Sequence, residues 1–146
     1  MSGADPRPAA DADAWRRQRT EAAEHQQREL DRRRAAESAT ARDLLADFVA
    51  TARARGIAPE PLRARAFTGG ATYRTSVEGW YLRRNRSVAV GTDGEFYVLG
   101  VPASISARLR GARLVPSDPP LVLGKGGRDG ESVDLAEALA RVLDRS

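Results

Sequence analysis

The chain has 146 residues, one domain's worth on the usual scale of about 100–200, with 24 Lys+Arg against 20 Asp+Glu and a formal charge of +4. Zero cysteines and a solitary histidine, His25, exclude disulfides, thiol nucleophiles, thiolate metal sites and any multi-histidine centre built from one chain. No apolar run approaches the ~18 residues of a membrane span and the first twenty residues lack the apolar core of a secretion signal, so the expected compartment is the cytoplasm.

Residues 1–14 combine Gly, Pro, Asp and Ala with no bulky apolar side chain, and nothing there offsets the entropy of ordering; a disordered leader is expected. From Trp15 to Arg55 the chain carries no Gly or Pro and is dense in Ala, Arg, Glu and Gln, which predicts a long helix. Its two halves differ. Residues 15–39 hold Leu30 as their only large aliphatic and set opposite charges one turn apart in Arg17/Glu21, Glu24/Arg28, Glu29/Arg33 and Arg33/Glu37, which predicts a solvated, charged helical extension. Trp15, Ala22 and Leu30 are too sparse for a stable heptad seam, leaving a weak coiled coil or a partner-binding helix as alternatives. From Thr40 onward Leu44, Leu45, Phe48, Val49 and Ala52 form one apolar stripe, so this half docks on a core and opens a compact domain over 40–146. Gly56 suits the position just past the helix, and Pro59 and Pro61 prevent its continuation.

Short extended pieces follow. Residues 71–75 alternate weakly, 79–84 place Trp80 and Leu82 opposite Tyr81 and Arg83, 87–90 place Val88 with Val90, and 95–101 form an apolar run. Asn85-Arg86 and Asp93-Gly94 read as tight turns between them, the second being the stronger hairpin signal. Residues 103–110 form about two helical turns with Ile105 and Leu109, stopped at Gly111; 121–123 suit a sheet edge next to Pro116, Pro119 and Pro120. A final helix over 132–145 takes Ser132 as its cap and Val133, Ala136, Leu139, Ala140 and Leu143 as its stripe. The expected class is therefore α+β: a long N-terminal helix, then a small antiparallel β-meander of about three to five strands packed with a C-terminal helix.

Of the 24 basic residues 23 are Arg and only Lys125 is Lys, a bias that accompanies abundant Ala in GC-rich coding sequences, so the total says little about phosphate recognition. The distribution says more: residues 53–113 hold eleven Arg against four acids, whereas 114–146 hold four basic and six acidic residues. Within the basic segment Arg74, Tyr81, Arg83, Arg84 and Arg86, interleaved with Tyr73 and Trp80, have the composition that stacks bases and neutralises phosphates, or that meets an acidic protein. Gly124, Lys125, Gly126, Gly127 and Arg128 follow an apolar strand and precede a helix, where backbone N–H groups can hold an anion; the glycines match neither the dinucleotide fingerprint nor a P-loop, which favours a connector. Asp129, Glu131, Asp134 and Glu137 do not follow a calcium-loop spacing, and His25 lies within the charged helix far from any cleft-forming segment. No catalytic residues, metal or cofactor are assigned. The expected function is a small non-enzymatic interaction module, protein-binding through its N-terminal helix or sheet face, with nucleic-acid binding by an Arg/Tyr-rich sheet face as the alternative and the oligomeric state open.

Overall fold

The computed structural model describes residues 7–124 and 131–145. Helix α1 spans Arg7–Ala54. It begins eight residues before Trp15, so the leader expected over 1–14 is helical from Arg7; Pro8 sits in the first turn, where a missing N–H costs nothing, and Ala9, Ala10, Ala12 and Ala14 supply high propensity. The chain divides into two compact units at Ala36/Glu37.

In the first unit the helix stands on local pairs. Arg16 meets Asp13 at 3.4 Å, Arg32 meets Glu29 at 3.0 Å, and the Gln27 amide donates to Asp31 at 2.9 Å. The Arg19 guanidinium lies 4.8 Å above the Trp15 ring, and both Trp15 and Leu30 are exposed.

In the second unit Ala41, Leu45, Phe48 and Ala52 of α1 are buried against Trp80, Leu82, Val90, Phe96, Leu123, Leu135, Ala138 and Leu139. The Phe48 and Trp80 rings meet edge to face, 5.5 Å between centroids at 86°, and the Trp80 indole N–H donates to the Ile57 carbonyl at 3.1 Å.

Five strands, β1 Glu60–Ala66, β2 Thr72–Tyr81, β3 Val88–Gly91, β4 Phe96–Val98 and β5 Gly100–Val101, form a mixed sheet in the order β4-β3-β2-β1-β5. The first four run as an antiparallel meander, and β5 pairs with β1 in parallel. Only Leu99 separates β4 from β5. Its N–H donates to Ser87 beside β3, and its carbonyl accepts from Arg65 in β1, so one short run of chain joins both edges and curls the sheet on itself. The curl encloses a second core of Leu62, Ala89, Tyr97 and Leu99, flanked by Val77, Tyr81 and Leu114. Both faces of the sheet are therefore covered near its centre.

Several elements differ from the sequence expectation. Strand β1 was not expected: it lacks β-branched residues and carries Pro61, but Leu62, Ala64 and Ala66 point inward while Arg63 and Arg65 point out. The pieces at 71–75 and 79–84 are one strand, bent by an irregularity opposite Pro61–Arg63. After helix α2, Ile105–Arg110, strand β6 (Val122–Leu123) pairs with β7 (Val133–Asp134). Helix α3 then runs Leu135–Asp144 with Asp134, not Ser132, at its N-cap, because Val133 is taken by the ladder. Its buried residues are Leu135, Ala138 and Leu139, so Ala136 and Ala140 fall on the exposed side. Among the described residues no helix is long and apolar enough to cross a membrane.

Candidate functional site

The β2–β3 hairpin gathers four of the five residues of the basic cluster. The Arg86 N–H donates to the Arg83 carbonyl at 3.0 Å, Leu82 N–H to Val88 at 3.0 Å, and the Asn85 side-chain oxygen accepts from both Ser87 N–H and Ser87 Oγ. This fixes the tip and puts Arg86 at φ 56°, the left-handed region that favours glycine. Its guanidinium lies 5.1 Å above the Tyr81 ring. Tyr81 is half-buried, and its hydroxyl accepts the N–H of Arg63 at 2.9 Å, so the ring faces the second core rather than an open sheet surface. Arg83 donates to the Glu131 carbonyl at 3.0 Å.

Two cavities adjoin the hairpin. One of about 410 Å³ is lined by Ile57, Glu60, Trp80, Tyr81, Arg83, Arg84, Arg86 and Arg145 among others. A wider groove of about 830 Å³ continues along α3, where Glu131, Glu137 and Asp144 offset Arg83, Arg84, Arg141 and Arg145, and Arg141 is tied to Glu137 at 2.6 Å. Arg141 and Arg145 were not singled out from sequence because they arrive from α3, nearly sixty residues away, and only the fold brings them to the hairpin.

Arg74 lies elsewhere. It stands on β2 directly opposite Arg63 of β1, both exposed, an arrangement of like charges that disfavours the pairing on its own. Arg65 is the next outward residue of β1, and α2 packs alongside with Arg108 and Arg110, followed by Arg113. Residues 61–77 and 102–117 together contain these six arginines and no acid. None of the six forms an ion pair among the described residues.

Helix α2 is held firmly. Ser104 N–H donates to the Tyr73 hydroxyl at 3.0 Å, Ser104 Oγ accepts from Ala107 N–H, and the Ala112 N–H donates to the Arg74 carbonyl at 2.7 Å. Yet it buries none of its residues: Ile105 is 80% exposed and Leu109 71%, one turn apart on the same face. Phe67, 71% exposed, follows β1 and donates its N–H to the carbonyl of Val101, four residues before α2. Sequence placed Ile105 and Leu109 on this helix; their outward orientation needed the tertiary structure.

Gly124, at φ 75°, leaves room for Arg83, whose Nη1 would collide with any Cβ there. Lys125, Gly126, Gly127 and Arg128 lie outside the described residues. No group of three or more metal-binding side chains occurs among the described residues. The Tyr97 phenol is pushed up to about 12, by burial first and by its 2.7 Å hydrogen bond to Asp93 second. Compared with known proteins, the chain matches no family model, no curated protein and no solved structure.

Proposed function

We propose that this chain is a non-enzymatic protein-binding module whose contact surface is α2 with the adjoining basic strip of β1 and β2. One observation carries the reading: a helix capped and bonded at both ends presents Ile105 and Leu109 to solvent. Apolar surface held in place rather than buried marks a contact site. The partner has an apolar groove that takes Ile105 and Leu109 as anchors one turn apart, and an acidic rim that faces Arg108, Arg110, Arg113, Arg63 and Arg74. Burial of two large aliphatic side chains contributes about 1.5–3 kcal/mol each, enough to dominate such a contact.

The uncompensated Arg63 and Arg74 pair also suits a nucleic-acid phosphate backbone. The two partners respond differently to substitution. Affinity capture with the full chain, the Ile105→Ser/Leu109→Ser variant and an Arg63→Ala/Arg74→Ala variant separates them. A protein partner is lost with both variants; nucleic acid, visible as a raised 260/280 nm ratio, is lost only with the arginine variant. Recovery of the same protein partners by Ile105→Ser/Leu109→Ser refutes the reading.

A further inference from the structure

We infer that the 410 Å³ cavity between the β2–β3 hairpin and the C-terminal turn of α3 binds a small phosphate-bearing anion of nucleotide size. The volume falls within the roughly 300–1,000 Å³ of ordinary small-molecule sites.

Charge singles it out from the groove beside it. Its lining brings Arg83, Arg84, Arg86 and Arg145 together with one carboxylate, Glu60, whereas the wider groove along α3 is nearly balanced. Four guanidinium groups around one small cavity repel one another; Glu131, Glu137 and Asp144 offset Arg83, Arg84 and Arg145 from the groove side, while the cavity side itself holds Glu60 as its one lining carboxylate among the described residues. Arg84 and Arg145 form no side-chain hydrogen bond or ion pair among the described residues, and Arg86 has only the Tyr81 ring beneath it. Arg83 is held by a hydrogen bond to the Glu131 carbonyl, a neutral acceptor.

The backbone points the same way. Arg86 occupies a left-handed position at φ 56°, where Gly or Asn closes a hairpin with less strain. The Arg86 head group lies over Tyr81, at the cavity wall. Guanidinium groups match phosphate oxygens in pairs of parallel N–H donors, so a ligand with two or more phosphates uses several of the four at once.

The site is separate from the α2 surface and stands or falls without it. Isothermal titration of the full chain at about 0.15 M salt tests it, with orthophosphate, tripolyphosphate and a nucleoside triphosphate as probes. Tripolyphosphate is expected to bind at least about tenfold more tightly than orthophosphate. The Arg84→Ala/Arg145→Ala variant loses about tenfold or more in that affinity at an unchanged melting temperature, because neither side chain supports the fold. Arg108→Ala/Arg110→Ala leaves the affinity unchanged. A nucleoside triphosphate that binds more tightly than tripolyphosphate identifies a nucleotide site; equal affinity identifies a polyphosphate site, and both support the assignment. No heat from any probe, or binding that Arg84→Ala/Arg145→Ala leaves intact, overturns it.

Discussion

The hydroxyl of Tyr73, a buried residue of β2, accepts the backbone N–H of Ser104 at 3.0 Å and so pins the first turn of α2 to the sheet. That bond makes an exposed apolar helix a fixed feature rather than a loop that samples one. Removing the hydroxyl with Tyr73→Phe leaves the ring packing in place and an N–H without its partner, at a cost of about 1 kcal/mol in urea unfolding. Hydrogen exchange should then quicken at residues 104–110 while the amides of β2 and β3 stay protected.

Gly79 pairs with Glu60 on one side and Gly91 on the other, at the point where β2 passes from β1 to β3. A Cβ there would stand 2.0 Å from the Val90 carbonyl oxygen and 2.8 Å from the Gly91 Cα, and both are backbone. The strands must separate to accept it. Gly79→Ala is expected to destabilise by about 3 kcal/mol or more in denaturant unfolding, whereas Gly94→Ala, with open space around its Cβ and only a positive φ to accommodate, costs about 1 kcal/mol.

Phe48 and Trp80 join α1 to the sheet. Phe48→Ala removes the edge-to-face contact and the one aromatic ring that α1 buries in the core, with an expected loss of about 3–5 kcal/mol. Trp80 fluorescence should shift to the red in the folded variant as its surroundings open.

Much of this was legible in the sequence, for a physical reason. The stripe Leu44–Ala52, the Asp93-Gly94 turn and the Ile105/Leu109 helix are local patterns whose spacing matches the element they form. Strand β1 was missed because its inward residues beyond Leu62 are alanines, which alternate without looking apolar. The covering of the second sheet face was not legible either, since it depends on Leu99 bonding to Ser87 and Arg65 at once. The hairpin arginines were visible in the chain; Arg145 beside them, and Arg63 opposite Arg74, were not, because strand pairing and helix docking set those neighbours.

Tyr97 gives the fold a sensitivity to alkali. In the unfolded chain its phenol ionises near 10.0, while the folded protein holds it protonated up to about 12. The folded state therefore binds the extra proton between these values. Stability is fully present below pH 10 and falls by up to about 2–3 kcal/mol as pH rises through 12. Absorbance at 295 nm should show the late titration. Asp93→Asn should bring the midpoint down part of the way, because burial, the larger cause, remains.

The claim that α2 is a contact surface is tested most directly by a photo-cross-linking residue placed at position 109 of the full chain in its native cell, with the same residue at the exposed position Ala46 as control. A discrete protein adduct from position 109, absent from position 46 and abolished by Ile105→Asp at unchanged stability, is the expected result. Adducts of equal yield from both positions, or adducts indifferent to Ile105→Asp, would contradict it.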